Sequence, residues 1–193
     1  MSGRGYTIFD TAIGRCGIAW GDDGIVGVQL PEAREIETRK RLFDLYPDAR
    51  EMRPPLNVEI AIEGMVALLR GEAADLSDIT LDMNGIHHFH ARVYRFIRTI
   101  PRGETRTYGE IAASLRVSGV VHAVAQALIR NPFVVIVPCH RVLEAGGYAD
   151  RISPHGGAIS KRRLLSIEGA RGTTAGMTLF DVLLPAAPPR PST

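Results

Sequence analysis

With 193 residues the chain is a little longer than an average domain, which allows one or two small domains with a real core and excludes large multidomain machinery. A hydrophobic fraction of 45%, a charged fraction of 23% and a mean hydropathy of +0.02 describe a soluble globular chain and exclude disordered and collagen-like classes. The formal net charge is only +2, yet residues 1–88 hold 9 Lys/Arg against 15 Asp/Glu and residues 89–168 hold 12 against 5, so an acidic half precedes a basic one.

A basic half suits a polyanionic partner, although two solvated faces can also differ by chance. Unbroken apolar runs such as Met65–Leu69 and Phe133–Val137 fall far below the roughly 18 to 20 residues that cross a bilayer, so no membrane association is expected. The opening MSGRGYTIFD lacks the basic-then-apolar order of a secretory signal, and a cytoplasmic location is the expectation. Cys16 and Cys139, far apart in the chain, are expected as free thiols in a reducing compartment.

In chain order, Tyr6–Phe9, Gly17–Trp20 and Ile25–Leu30 read as strands of a meander, with Gly21-Asp22-Asp23-Gly24 as one turn. Helices are predicted over Glu32–Tyr46, stopped by Pro47, and over Val58–Leu69, closed by Gly71. Strand character returns at Ile79–Met83, and a small α+β unit ends near Asn84-Gly85. A stripe of Phe89, Val93, Phe96 and Ile97 then predicts a helix up to the Pro101-Arg102-Gly103 break.

Thr107 three residues before Glu110 is a capping-box signature that opens the next helix, with Ile111 and Leu115 inward. Ser118 is placed to cap another, which buries Val121, Val124, Ala125 and Leu128 and runs to Arg130. Two short helices at this spacing form a helix-turn-helix candidate, though such pairs are common. Val134–Val137 reads as a buried strand, Ser160–Ile167 as the final helix, and Pro185–Thr193 as a frayed tail.

Chemistry concentrates at Pro138-Cys139-His140-Arg141. A thiol reacts as its thiolate, which a neighbouring base or cation favours, and Cys139 has candidates for both next to it. In extended backbone His140 would point away from Cys139, so it would act through a water or after a turn, with a third group to orient it. The alternative is a buried cysteine serving as a small hydrophobe.

The run Asn131-Pro132-Phe133-Val134-Val135-Ile136-Val137-Pro138-Cys139-His140-Arg141-Val142 resembles the active-site signature of the O6-alkylguanine-DNA alkyltransferases, the methylated-DNA-protein-cysteine methyltransferases. The likeness extends through Pro101–Ala112, through Lys161–Gly169 and to Phe89–Tyr94, and covers residues 85–169. It implies an α+β protein: a ribonuclease H-like N-terminal sheet with helices over 1–84, a mostly helical domain with a helix-turn-helix over 85–170, and a partly disordered tail over 171–193. The resemblance also implies one irreversible transfer of an alkyl group from O6-alkylguanine in double-stranded DNA, with O4-alkylthymine as a second candidate.

By position, Cys139 is the acceptor, His140 the base that deprotonates it through water, Glu168 the carboxylate that orients His140, and Asn131 the residue that orders the turn. Backbone carbonyls at Cys139 and Val142 would face the guanine amino group, and Tyr108 would crowd the target phosphate as the base leaves the stack. The family reads the minor groove with small residues, here Ala123 among them. No diffusible cofactor and no metal are implied, and a monomer is expected.

Three departures concern the substrate. His122 stands where the family has an intercalating arginine, Ala125 replaces a glycine, and loop 143–157 differs, so that either Tyr148 or His155 falls near the leaving group. A transferase with another alkyl donor, or a protein that binds alkylated lesions without accepting the alkyl group, are the alternatives. Arg141 is either a phosphate contact or a buried ion-pair partner, and Arg95, Arg98, Arg102 and Arg106 are phosphate contacts or solvated charges. His87, His88 and His90 with Cys16 supply zinc ligands by count, but not at the spacings of the family's zinc-bearing members.

Overall fold

The computed structural model describes residues 4–116, 121–145 and 157–170. Three strands, β1 (Gly5–Thr11), β2 (Gly14–Gly21) and β3 (Gly24–Gln29), form the expected antiparallel meander. A two-residue strand that the sequence did not signal, β4 (Arg50–Glu51), adds to β1 in parallel and gives the order β3-β2-β1-β4. Such a short strand of two charged residues carries no period of its own, and it exists only because β1 offers an edge.

Helices cover both faces of this sheet. On β2, Cys16, Ile18 and Trp20 alternate into the core that α2 (Leu56–Leu69) closes with Val58, Ala61, Met65 and Leu68. On the opposite face α1 (Glu35–Leu45) and the residue after it lie so close that a side chain would not fit beneath them: a Cβ on Gly17 would overlap Leu42, and one on Gly27 would overlap the Tyr46 ring and hydroxyl. Tyr46 is held there by donating its hydroxyl to the Val26 carbonyl at 2.9 Å.

The second half is helical: α3 (His88–Arg98), α4 (Tyr108–Ser114), α5 (Val121–Ile129) and α6 (Gly157–Glu168). α4 opens on the anticipated capping box between Thr107 and Glu110. A parallel two-residue ladder joins β5 (Arg106–Thr107) to β6 (Val142–Leu143). Buried residues of both halves form one continuous cluster, from Cys16 to Leu164. No helix among the described residues is long and apolar enough to cross a membrane.

Three expectations need correction. Ile79–Met83 is not a strand of the sheet; Leu81 makes a single bridge to Ile25, with flanking bonds of 3.1 and 2.8 Å. Val134–Val137 does not run as a strand either, because Val135 sits at φ 75° and the segment hooks back until Val137 bridges Val134. Left-handed backbone at a β-branched residue stores strain of order 1–3 kcal/mol, so the surrounding packing must impose it. Val121, expected inside, is 49% exposed, while Val124, Ala127 and Leu128 form the buried face of α5. Ser118 and the tail lie outside the described residues.

The two halves meet at β3. Its open edge is paired by the 80–82 segment and by Pro132, whose carbonyl accepts from Val28 N–H at 2.7 Å. Arg98 donates to the Leu76, Ser77 and Ile79 carbonyls, and Arg102 to those of Gly71 and Ile167. These two arginines therefore clamp the connecting segment against the helices.

Gly27→Ala is expected to lower unfolding free energy by about 1–3 kcal/mol, the usual cost of overpacking. Gly21→Ala, whose Cβ would approach only the Arg4 and Val26 side chains at 3.9 Å, should cost under about 0.5 kcal/mol. Urea denaturation of both variants checks the pair.

Candidate active site

Asn131 builds the turn that precedes the thiol. Its side chain is fully buried, its Oδ1 accepts from Phe133 N–H at 2.9 Å, and its Nδ2 donates to the Val137 carbonyl at 3.1 Å. A Val137 N–H to Phe133 carbonyl bond of 2.7 Å closes the same hook. Tyr94 supports it from α3: its ring meets Phe133 edge to face at 6.1 Å, and its hydroxyl donates to the Ala127 carbonyl at 2.8 Å.

Out of this hook the chain enters a single 3-10 turn, Cys139–Arg141. That turn resolves the geometric objection raised by an extended segment, since a helical turn no longer sends consecutive side chains to opposite sides. Arg141 N–H bonds the Pro138 carbonyl at 2.9 Å, and Val142 N–H bonds the Cys139 carbonyl. Val142 then enters β6 opposite Arg106, with Leu143 opposite Thr107, the cap of α4.

The two cysteines differ in kind. Cys139 is a partly exposed thiol outside any disulfide, whereas Cys16 is fully buried in β2, where burial pushes its thiol up to about 12 despite a contact with Thr11 Oγ1 at 3.7 Å. Only Cys139 is placed to react.

Glu168, at the end of α6, joins His140 to Arg141. His140 Nε2 lies 2.8 Å from Glu168 Oε1, and the Arg141 guanidinium reaches both carboxylate oxygens at 2.8–3.2 Å while donating to the Ile100 carbonyl at 2.6 Å. Burial would raise the Glu168 carboxyl, but hydrogen bonds and charge from His140 and Arg141 outweigh it and hold it at about 2. Burial pushes the His140 imidazole below its ordinary range, against the pull of Glu168.

An ionised Glu168 beside a neutral His140 takes the Nε2 proton as a hydrogen bond and leaves the Nδ1 lone pair as the basic site. Nδ1 is buried and has no hydrogen-bond partner among the described residues. Of the two roles open for Arg141, the geometry gives the buried ion pair: its side chain is 10% exposed and wholly engaged with Glu168 and Ile100.

The remaining expectations divide. His122 is exposed in the first turn of α5, with Ala123 partly buried beside it. Tyr148 and His155 lie outside the described residues. Arg98 and the exposed Arg102 hydrogen-bond carbonyls of the scaffold, Arg106 bonds Glu104 and its neighbouring carbonyl, and Arg95 is exposed on α3. His87 Nδ1 caps α3 by accepting from Phe89 N–H at 3.2 Å, and no group of three or more metal-ligating side chains gathers among the described residues.

One residue escaped the sequence reading. Lys161 is only 4% exposed, and its Nζ lies 5.8 Å from the centroid of the Tyr108 ring. The spacing 161, 165, 168, one helical face carrying Lys161, buried Leu165 and Glu168, was a signal for it.

Glu168→Gln is expected to destabilise the protein by about 3 kcal/mol at pH 7, since it leaves the Arg141 charge buried without its partner. Because the Glu168 carboxyl is depressed, from an ordinary 4.5 to about 2, its stabilisation is present above pH 4.5 and lost as pH falls toward 2. The difference between wild type and Glu168→Gln should therefore shrink to under about half by pH 3, read by denaturation at both pH values.

The model of the 6-O-methylguanine DNA methyltransferase DNA-binding domain matches residues 88–170. A methylated-DNA–protein-cysteine methyltransferase of Mycolicibacterium paratuberculosis is 40% identical over 63% of this chain and 70% of its own length. Its counterpart in Methanothermobacter thermautotrophicus is 34% identical over 79% and 78%. Among solved structures, the O6-methylguanine methyltransferase of Mycobacterium tuberculosis superposes with a TM-score of 0.68 at 32% identity, covering 92% of this chain and 99% of that one. A crystal structure of the M. tuberculosis protein in complex with DNA gives 0.65 at 29% identity, over 88% and 95%. The buried carboxylate, the histidine and the accessible cysteine thus sit in a chain that belongs to the methylated-DNA–protein-cysteine methyltransferase family.

Proposed function

We propose that this protein repairs alkylated DNA by direct reversal, moving an alkyl group from guanine O6, or from thymine O4, onto Cys139. The observation that carries the reading is a partly exposed thiol next to a neutral, buried imidazole that Glu168 and Arg141 hold in one orientation. His140 Nδ1 takes the thiol proton through a bridging water. The thiolate attacks the alkyl carbon, a sulfur–carbon bond forms as the carbon–O6 bond breaks, and guanine leaves with the electron pair and is reprotonated at the base.

A thioether has no carbonyl for water to attack, so the protein turns over once. The electrophilic carbon comes with the substrate, and no diffusible cofactor takes part. Since O6 is sealed inside a duplex, the nucleotide must be rotated out of the stack, with Tyr108 crowding its phosphate and α5 entering the minor groove, His122 first and small Ala123 behind it. We read α4 and α5 as the helix-turn-helix and the four-stranded sheet as ribonuclease H-like. Residues 1–84 support residues 85–170, and the protein works as a cytoplasmic monomer.

Intact mass after incubation with an oligonucleotide containing O6-methylguanine tests the reading. A single methyl-sized gain that requires both the lesion and Cys139 is expected, and Cys139→Ala should abolish the gain and leave DNA binding. Uptake that persists in Cys139→Ala would overturn the assignment of the nucleophile.

His122 and the exposed Val121 favour a second reading, in which the same thiol serves a donor other than guanine in duplex DNA. An imidazole is shorter than a guanidinium and fills less of the space a flipped base vacates. If repair is the function, His122→Arg should raise the transfer rate on duplex substrate; an unchanged or lower rate, with a thiol still reactive toward other alkyl donors, would move the assignment to that second reading.

A further inference from the structure

Between the end of α1 and the base of the hook lies a pocket of about 150 Å³, walled by Val28, Leu42, Leu45, Ile129 and Pro132. Val28 and Leu42 are buried, while Leu45 and Ile129 stand 51% and 36% exposed at its mouth. Its polar lining is unequally satisfied. The Tyr46 hydroxyl is committed to the Val26 carbonyl. Gln29 is 1% exposed, and its Nε2 donates to the Leu30 carbonyl at 3.0 Å and to Glu32 Oε1 at 3.2 Å. Two acceptors on that side fix the orientation of the amide, because the flipped form would set its oxygen against a carbonyl and a carboxylate. Oε1 is left buried and without a donor among the described residues. A buried acceptor in that state favours a guest that brings a donor.

We propose that this pocket binds a small aromatic molecule of the indole class, its ring held between the apolar walls and its N–H donated to Gln29 Oε1. Size sets the limit: an apolar cavity of roughly 150 Å³ holds one benzene ring, and the open mouth here leaves room for a fused second ring. Arg130 also lines the pocket and is exposed, so its guanidinium can lie over the face of that outer ring, an attraction an aliphatic guest would not provide. Val28 and Pro132 are the residues whose backbone bond of 2.7 Å pins the hook to β3. A bound ring therefore bridges the N-terminal half and the segment that leads to Cys139. The inference is independent of the alkyl-transfer reading.

The test is an NMR titration of the full chain, labelled with nitrogen-15, with indole and with benzofuran, an isostere that lacks the N–H donor. Indole should shift the amide signals of Val28, Gln29, Tyr46 and Ile129 saturably, and benzofuran should bind about tenfold more weakly, because it leaves Oε1 unpaired. Gln29→Met keeps the side-chain volume and removes the acceptor, so the two dissociation constants should come within about twofold of each other. Leu45→Ala, which strips one wall at an exposed position, should weaken both ligands by a similar factor of about three.

Equal affinity of the wild type for the two ligands, shifts centred on other residues, a preference for indole that survives Gln29→Met, or no saturable binding up to the solubility of indole would each overturn the proposal. If Gln29→Met fails to fold, the wild-type comparison and Leu45→Ala decide the matter, and affinities unchanged in Leu45→Ala overturn it as well.

Discussion

A single buried carboxylate sets the electrostatics of the site. Glu168 accepts from the Arg141 guanidinium and from His140 Nε2, with its side chain only 5% exposed. Were Arg141 absent, a carboxylate in that environment would either take up a proton or draw one onto the imidazole, and an imidazolium cannot act as a base toward the thiol. The guanidinium is a fixed positive charge that balances the anion. His140 is thereby oriented by a charge without having to neutralise it.

Placement of the thiol depends on a second set of constraints, mostly backbone. Asn131 closes a hook that forces Val135 into left-handed backbone, and the hook delivers Cys139 into a 3-10 turn instead of the extended run that an apolar stretch would otherwise adopt. One end of this segment is pinned to β3 through Pro132 and the other to β5 through Val142 and Leu143. The N-terminal sheet thus helps hold the loop that carries the Cys139 thiol. Cys16 illustrates the contrast: the same side chain on a strand facing the core is held protonated by burial.

Positive charge is divided between scaffold and surface. Arg98 and Arg141 are engaged with carbonyls and a carboxylate inside the molecule, so the excess of basic residues after position 88 overstates the charge offered to a polyanion. Arg95, Arg116, Arg130, Arg162 and Arg163 remain exposed. On α5 the exposed residues are Val121, His122 and Ile129, so the outer side of that helix carries no formal charge. The charge available to DNA then lies on the surrounding arginines.

The sequence by itself determined the meander, the principal helices, the capping box at Thr107 and the identity of Cys139, His140 and Glu168, because each rests on local patterning or on a contiguous motif. It also left Arg141 between two roles and missed β4, β5, β6 and Lys161. Two-residue strands have no periodicity to read, and they form only where another edge is presented. Only the tertiary structure decided that Val134–Val137 hooks instead of pairing, since the buried amide of Asn131 and the Phe133–Tyr94 contact outweigh β propensity. Tertiary contact likewise decided which arginines are structural and that a lysine lies over Tyr108. The physical reason is common to these cases: an ion pair or a cation–π contact joins residues 27 to 53 positions apart, and nothing local marks the partner.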